Sequence, residues 1–225
     1  MADQQTIYEI RQACGKPGCP VCTLVQRAGA RYIEGIYGEC ILDPDVRQKL
    51  ADSLGFCYGH TWLAIDLKLT EALGHAILFQ SLVNRAGKIL ADGEKAPGQQ
   101  LAAALEPELG CPACRIEAET TERVTDSLAH ALKDQDFVNA YQASNGLCLP
   151  HLKLLLPKLD QKRQSSLLTH QRARMESLKN ELGEFIRKND FRFREERIGA
   201  EGDSYKRAAD LLAGKRRPAE RKDLK

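Results

Sequence analysis

Six cysteines and two histidines stand in two matching sets, and no other feature constrains this chain as much. Cys19, Cys22, Cys57 and His60 form the first set, and Cys111, Cys114, Cys148 and His151 the second. Each reads Cys-Pro-x-Cys, then 32 or 31 residues, then Gly-x-Cys-x-x-His. The offset between the sets is 92 residues at Cys19/Cys111 and 91 at Cys57/Cys148. One residue is therefore lost in or near an intervening turn, where a deletion costs least. The pattern predicts a duplicated metal-binding module.

The donor chemistry suits a tetrahedral zinc ion. Three thiolates and one imidazole are a common structural ligand set, with bonds of about 2.0–2.3 Å. Two such ions are expected, with an iron ion or iron–sulfur cluster as the alternative, although clusters usually take four cysteines. A thiol redox protein built on Cys-x-x-Cys would need a βαβ context, and no strand pattern precedes either pair. Structural disulfides fit an oxidising compartment better than a reducing one.

Local signals place the ligands at helix starts. Pro20 and Pro112 suit the first helical position, where the missing N–H would be unpaired anyway. Cys19 and Cys111 then cap their helices, with Cys22 and Cys114 in the first turn. Cys57 and Cys148 open further helices, with His60 and His151 three residues on. A helix N-terminus favours negative charge and so favours thiolates.

The periodicity predicts an all-α chain of two tandem helical repeats. Residues 1–92 form the first, 93–110 a linker and 111–190 the second. Residues 191–214 form a docking tail, and 215–225 a charged, disordered end. In the first repeat a helix runs from Cys19 to about Ile41, with Val25, Tyr32, Ile36 and Cys40 inward. Asp43-Pro44 starts a short helix that Gly55 ends. A longer helix spans about Thr70 to Ala91, with Leu73, Ala76, Ile77, Val83 and Leu90 inward. A short helix at Gln99–Leu105 is compatible with the linker. The second repeat replays this order, with helices to about Leu132, over Asp134–Ser144, from Cys148 to Pro157, and from Asp160 or Gln161 to Lys188. Leu168, Met175, Leu178, Leu182 and Phe185 make the last apolar stripe.

Each repeat is expected to close its own site. A helix of about 19 residues climbs about 28 Å. The short helix descends about 16 Å, and extended residues after it recover about 7–10 Å more. In the tail, Phe191, Phe193 and Tyr205 are expected to be buried by docking. Arg192 and Arg194 alternate with the phenylalanines and so face the other way.

The remaining features carry less. Cys40 reads as a core cysteine, and Cys14 as a spare ligand or free thiol. His75, His130 and His170 read as ordinary helix histidines. The chain has 225 residues, 43% hydrophobic content and a net charge of +2, so no polyelectrolyte signal stands out. Met1–Gln12 carries no apolar core or small-residue cleavage site, and Leu152–Leu159 is too short to span a bilayer. A cytoplasmic location without membrane insertion is expected. No nucleophile–base pair, phosphate loop or paired carboxylates suggest catalysis, so no catalytic residue is assigned. An adaptor or accessory role with a protein partner follows. The alternatives are an iron–sulfur or thiol redox accessory protein, and nucleic-acid binding through Arg187, Lys188, Arg192, Arg194, Arg197, Lys215, Arg216 and Arg217. Glu195, Glu196, Glu201 and Asp203 weigh against the last, because a mixed charge run is usually a solvated face.

The run Pro17-Gly18-Cys19-Pro20-x-Cys22, the motifs Gly55-Phe56-Cys57-x-x-His60 and Gly146-Leu147-Cys148-Leu149-Pro150-His151, and the stretch Glu184–Phe193 resemble a bacterial and archaeal family of uncharacterised proteins. That family carries only a domain-of-unknown-function label. The resemblance reaches to about Gly214 and implies an architecture without an activity. Both ligand sets are complete here.

Overall fold

The computed structural model describes residues 3–68, 72–106 and 110–217. Among these residues every regular element is helical. No helix among them is long and apolar enough to cross a membrane. The expected helix start at Thr70 and the expected disorder of 218–225 lie outside the described residues.

Among the described residues the chain runs through eleven α-helices. They are α1 (Gln4–Cys14), α2 (Pro20–Gly35), α3 (Pro44–Asp52), α4 (Tyr58–Asp66), α5 (Ala72–Asp92) and α6 (Gly98–Ala104), then α7 (Pro112–Ala131), α8 (Gln135–Gln142), α9 (Leu149–Leu155), α10 (Gln161–Lys188) and α11 (Ser204–Ala213). The approach segment holds a helix that periodicity did not suggest. Asp3 caps α1 by accepting from the N–H groups of Gln5 and Thr6, which satisfies two of the four donors left open at a helix start. Helix α2 continues as a π-helical turn over Ile36–Cys40.

Two compact units result, and they do not follow the repeat boundaries. The first unit combines the described residues up to Val25 with Thr121–Arg216. Its core joins Ile10, Val21 and Leu24 to Leu128, Phe137 and Leu155. The second unit combines Gln26–Thr120 with Arg217. Its core is built on Ile33, Tyr37, Leu50, Leu63 and Leu78. At about 25 cal/mol per Å² of apolar surface buried, side chains of this size each contribute roughly 1.5–3 kcal/mol.

Two expectations about faces need correction. On α5, Leu73 and Val83 are 70% and 68% exposed, whereas Gly74 and Leu78 are buried. Apolar residues lie on most sides of this helix, so spacing alone did not fix its inward face. The tail is not extended either. Asp190 accepts from the N–H of Arg192 and starts a 3₁₀ turn over Phe191–Phe193. That turn removes strand-like alternation. Phe191 is 79% exposed, and Phe193 lies under the Arg187 guanidinium at 4.6 Å. Tyr205 is half exposed and meets Phe185 at 5.8 Å between ring centroids. Further on, Glu201 accepts from the N–H of Gly199 and pairs with Lys188 at 2.8 Å, and these contacts hold its carboxyl down at about 2.

Candidate metal centres

The structure brings the eight residues together in a different pairing from the expected one. Cys19 and Cys22 meet Cys148 and His151, while Cys57 and His60 meet Cys111 and Cys114. Within each set the four ligand atoms lie within 4.8 Å of one another. Closure inside each repeat, as Cys19/Cys22/Cys57/His60 and Cys111/Cys114/Cys148/His151, is therefore overturned.

The reason lies in helix length and turn handedness. From Pro20 to Cys40 the helical path climbs about 30 Å, and the nine residues of α3 return only about 13 Å. The chain turns back at the end of α3 instead of running straight on. Leu54 and Gly55 take left-handed conformations at φ 49° and 88°, and the N–H of Gly55 bonds back to the carbonyl of Leu50 at 2.7 Å. This Schellman-like closure keeps the chain compact. Cys57 is grouped with Cys111 and Cys114, and not with Cys19. The later helices show the same imbalance, with 20 residues in α7 against eight in α8.

The helix-start reading holds in detail. The N–H of Thr23 bonds to the carbonyl of Cys19 at 3.1 Å, and that of Arg115 to Cys111 at 3.2 Å. Cys57 and Cys148 are the N-caps of α4 and α9, with extended backbone at the cap. Cysteine and histidine three residues apart thus point the same way.

In the first set, Cys22 Sγ lies 3.6 Å from Cys148 Sγ. His151 Nδ1 lies 3.6, 3.3 and 3.0 Å from the sulfurs of Cys19, Cys22 and Cys148. The N–H of Lys215 donates to Cys22 Sγ at 3.4 Å. In the second set, His60 Nδ1 lies 3.3, 3.5 and 3.4 Å from the sulfurs of Cys57, Cys111 and Cys114. Cys57 and Cys114 are 3.5 Å apart.

Crowded thiols cannot all ionise without a cation. Hydrogen bonds from Cys19 and Cys22 pull Cys148 down to about 3, while burial pushes Cys19 well up. In the second set burial opposes ionisation of Cys111, yet contacts from His60 and two backbone N–H groups bring it down to about 6. Burial and the neighbouring thiols push Cys114 up to about 12. Burial and neighbouring thiols thus oppose ionisation of Cys19 and Cys114 and favour their protonated forms. A divalent ion would displace those protons.

Residues outside the cysteine–histidine motifs support both centres. The buried Gln171 side chain grips the backbone of Leu147. Its Oε1 accepts from the Leu147 N–H at 3.0 Å, and its Nε2 donates to the Leu147 carbonyl at 2.9 Å. A Cβ at Gly146, where φ is +78°, would come within 2.7 Å of that Oε1. Asn145 Oδ1 accepts from the N–H of Gly18 at 3.1 Å and ties the turn before Cys19 to the turn before Cys148. In the second set, His60 Nε2 lies 3.1 Å from Glu117 Oε1 and 2.7 Å from Arg217 Nη1. Arg217 grips Glu117 through both carboxylate oxygens at 2.6 and 2.8 Å. Burial opposes the charges, but contacts from Cys111 and Glu117 push His60 up to about 10, and His60 and Arg217 hold Glu117 below the usual range. Only the position of Glu117, three residues beyond Cys114 on α7, offered a clue.

The other cysteines and histidines stay outside both sets. Cys14 is buried in the first core, where desolvation pushes its thiol up to about 11. Cys40 is half buried in the π-helical turn. His75 sits 3.1 Å from the Tyr37 hydroxyl, and His170 meets the Tyr141 ring edge-on.

No curated protein and no solved structure matches the chain. The profile of a family of unknown function, DUF6062, matches residues 4–219, which is nearly its whole length. The chain belongs to that family.

Proposed function

We propose that this protein is a zinc-stabilised helical adaptor or accessory protein, with one structural zinc ion in each Cys₃His set. The ligand-atom separations carry this reading. A tetrahedron with metal–sulfur bonds of about 2.3 Å has sulfur–sulfur edges of about 3.8 Å and slightly shorter sulfur–nitrogen edges. The observed separations of 3.0–3.6 Å suit a single ion better than a cluster, whose ligands must spread around several irons. Four protein ligands leave no open position for a substrate, which favours scaffolding over catalysis. The basic tail offers little to nucleic acid: Arg187 pairs with Glu184 and Glu196, Lys188 with Glu201, and Arg192 with Asp190. We place the protein in the cytoplasm, with a protein as its partner.

Metal analysis after anaerobic purification tests the reading. Two zinc equivalents on a colourless protein are expected. A brown protein absorbing near the iron–sulfur region, or one free of metal, would overturn it.

Glu117 provides a more local test. With Nδ1 of His60 on the metal, its Nε2–H donates to Glu117, and Arg217 holds the carboxylate in place. Such outer partners orient a ligating imidazole, and losing one weakens metal binding about 10–100-fold. Glu117→Gln is expected to weaken the second site by about that factor and leave the first unchanged. Competition against a chromophoric chelator reads both. Equal weakening of both sites would mean that Glu117 acts only on general stability.

A further inference from the structure

The two sets differ in access. In the first, Cys19 and Cys148 face a cavity of about 310 Å³ but are only 5% and 1% exposed, and Cys22 is equally buried. In the second, Cys114 is exposed, and Cys57 and Cys111 are half buried. Susceptibility of a cysteine to oxidation follows thiolate character and exposure. Metal binding keeps all six sulfurs as thiolates, so exposure is left to discriminate between the sets.

We propose that Cys114 is a site of oxidative modification by hydroperoxides, with Cys57 as its resolving partner, and that this reaction releases the metal of the second set alone. The inference rests on the metal reading above. Two observations beyond exposure support it. Cys57 Sγ stands 3.5 Å from Cys114 Sγ, within reach of a second displacement. The two cysteines also lie on different elements, the N-cap of α4 and the first turn of α7. A disulfide between them would join the same two elements that the metal joins, so the link survives when the metal leaves.

The steps balance. The Cys114 thiolate attacks one peroxide oxygen; the S–O bond forms, the O–O bond breaks, and the leaving hydroxide takes a proton to become water. The Cys57 thiolate then attacks Cys114 Sγ; the S–S bond forms, the S–O bond breaks, and a second hydroxide is protonated. Two thiolates, one hydrogen peroxide and two protons give one disulfide and two waters. Two electrons pass from sulfur to oxygen. Only Cys111 and His60 would then remain to hold an ion, too few to retain it. A dithiol reductant reverses the oxidation, and added metal refills the site.

The test uses the full-length protein carrying both metal equivalents. Hydrogen peroxide is added in modest excess, and a chromophoric chelator follows metal release. Differential alkylation with peptide mass spectrometry assigns the oxidised cysteines in the same samples. We expect one equivalent to leave at least 10-fold faster than the other, in step with a Cys57–Cys114 disulfide, while Cys19, Cys22 and Cys148 remain reduced. Circular dichroism should change little during that phase, and dithiothreitol with zinc should restore the starting state. The proposal is overturned if both equivalents leave together, if the first disulfide joins other cysteines, or if sulfinic acid accumulates in place of a disulfide. A protein that holds no metal at the outset would overturn the metal reading, and this inference with it. The wild-type disulfide map keeps the test decisive even if Cys114→Ser, the confirming variant, folds poorly.

Discussion

Cys148→Ser is expected to release one of two metal equivalents and to loosen the N-terminal helix α1, more than a hundred residues away in sequence. Cys148 shares its set with Cys19 and Cys22, and α1 leads directly into that pair. Amide exchange should quicken over 4–25 and 149–155, and stay slow over 58–66 and 112–118. Cys57→Ser should produce the reverse pattern. Structural zinc supplies roughly 10–16 kcal/mol in small peptides. Both units have their own apolar cores, so only part of that is at stake here. If about a quarter to a third is lost, roughly 3–5 kcal/mol, the melting temperature falls on the order of 10 °C, at about 2–4 °C per kcal/mol for a chain of this size. Faster exchange around Cys111 and Cys114 in the Cys148 variant would instead restore the pairing within each repeat.

Gln171→Leu should be nearly as damaging, although Gln171 touches no metal. Leucine keeps much of the volume but strands the N–H and carbonyl of Leu147, a residue that is itself buried. Each buried polar group left without a partner costs about 1–3 kcal/mol. The total is roughly 2–6 kcal/mol, or again on the order of 10 °C in melting temperature. Leu147 directly precedes Cys148, so the first site should also bind metal more weakly. Gln171→Glu keeps the acceptor and loses the donor, and should fall between leucine and the native residue. A leucine variant that melts within about 2 °C of wild type would mean that the Leu147 backbone finds other partners.

What was legible in the sequence was local. Pro20 and Pro112 announced helix starts, and the cysteine–histidine spacing fixed both ligands of each half-site to one turn. The all-helical character followed from the same signals. Which half-sites meet was not legible, because it depends on how far α2 and α7 carry the chain and on the left-handed turn at Leu54 and Gly55. A short extended stretch there would have closed the repeats; a compact turn did not. Gln171 gave no signal at all, since a glutamine on a long polar helix resembles any solvated side chain. Leu73 and Val83 misled for the opposite reason, because α5 is apolar on more than one side and the true contact runs through Leu78.

The pairing of the half-sites also sets a timetable for synthesis. The ligands of the second set are 51–57 residues apart across the gap, and those of the first are 126–132 apart. At about 5–20 residues per second, a ribosome needs roughly 6–25 s between making Cys22 and making Cys148. On the zinc reading, the inner site could capture an ion while the Cys19–Cys22 pair still waits for partners. During that interval the nascent N-terminus presents two thiols at a helix start, a ready acceptor for a stray metal or an oxidant. Ribosome-stalled chains long enough for Cys114 to clear the exit tunnel should hold one zinc ion, and chains long enough for His151 to clear it should hold two.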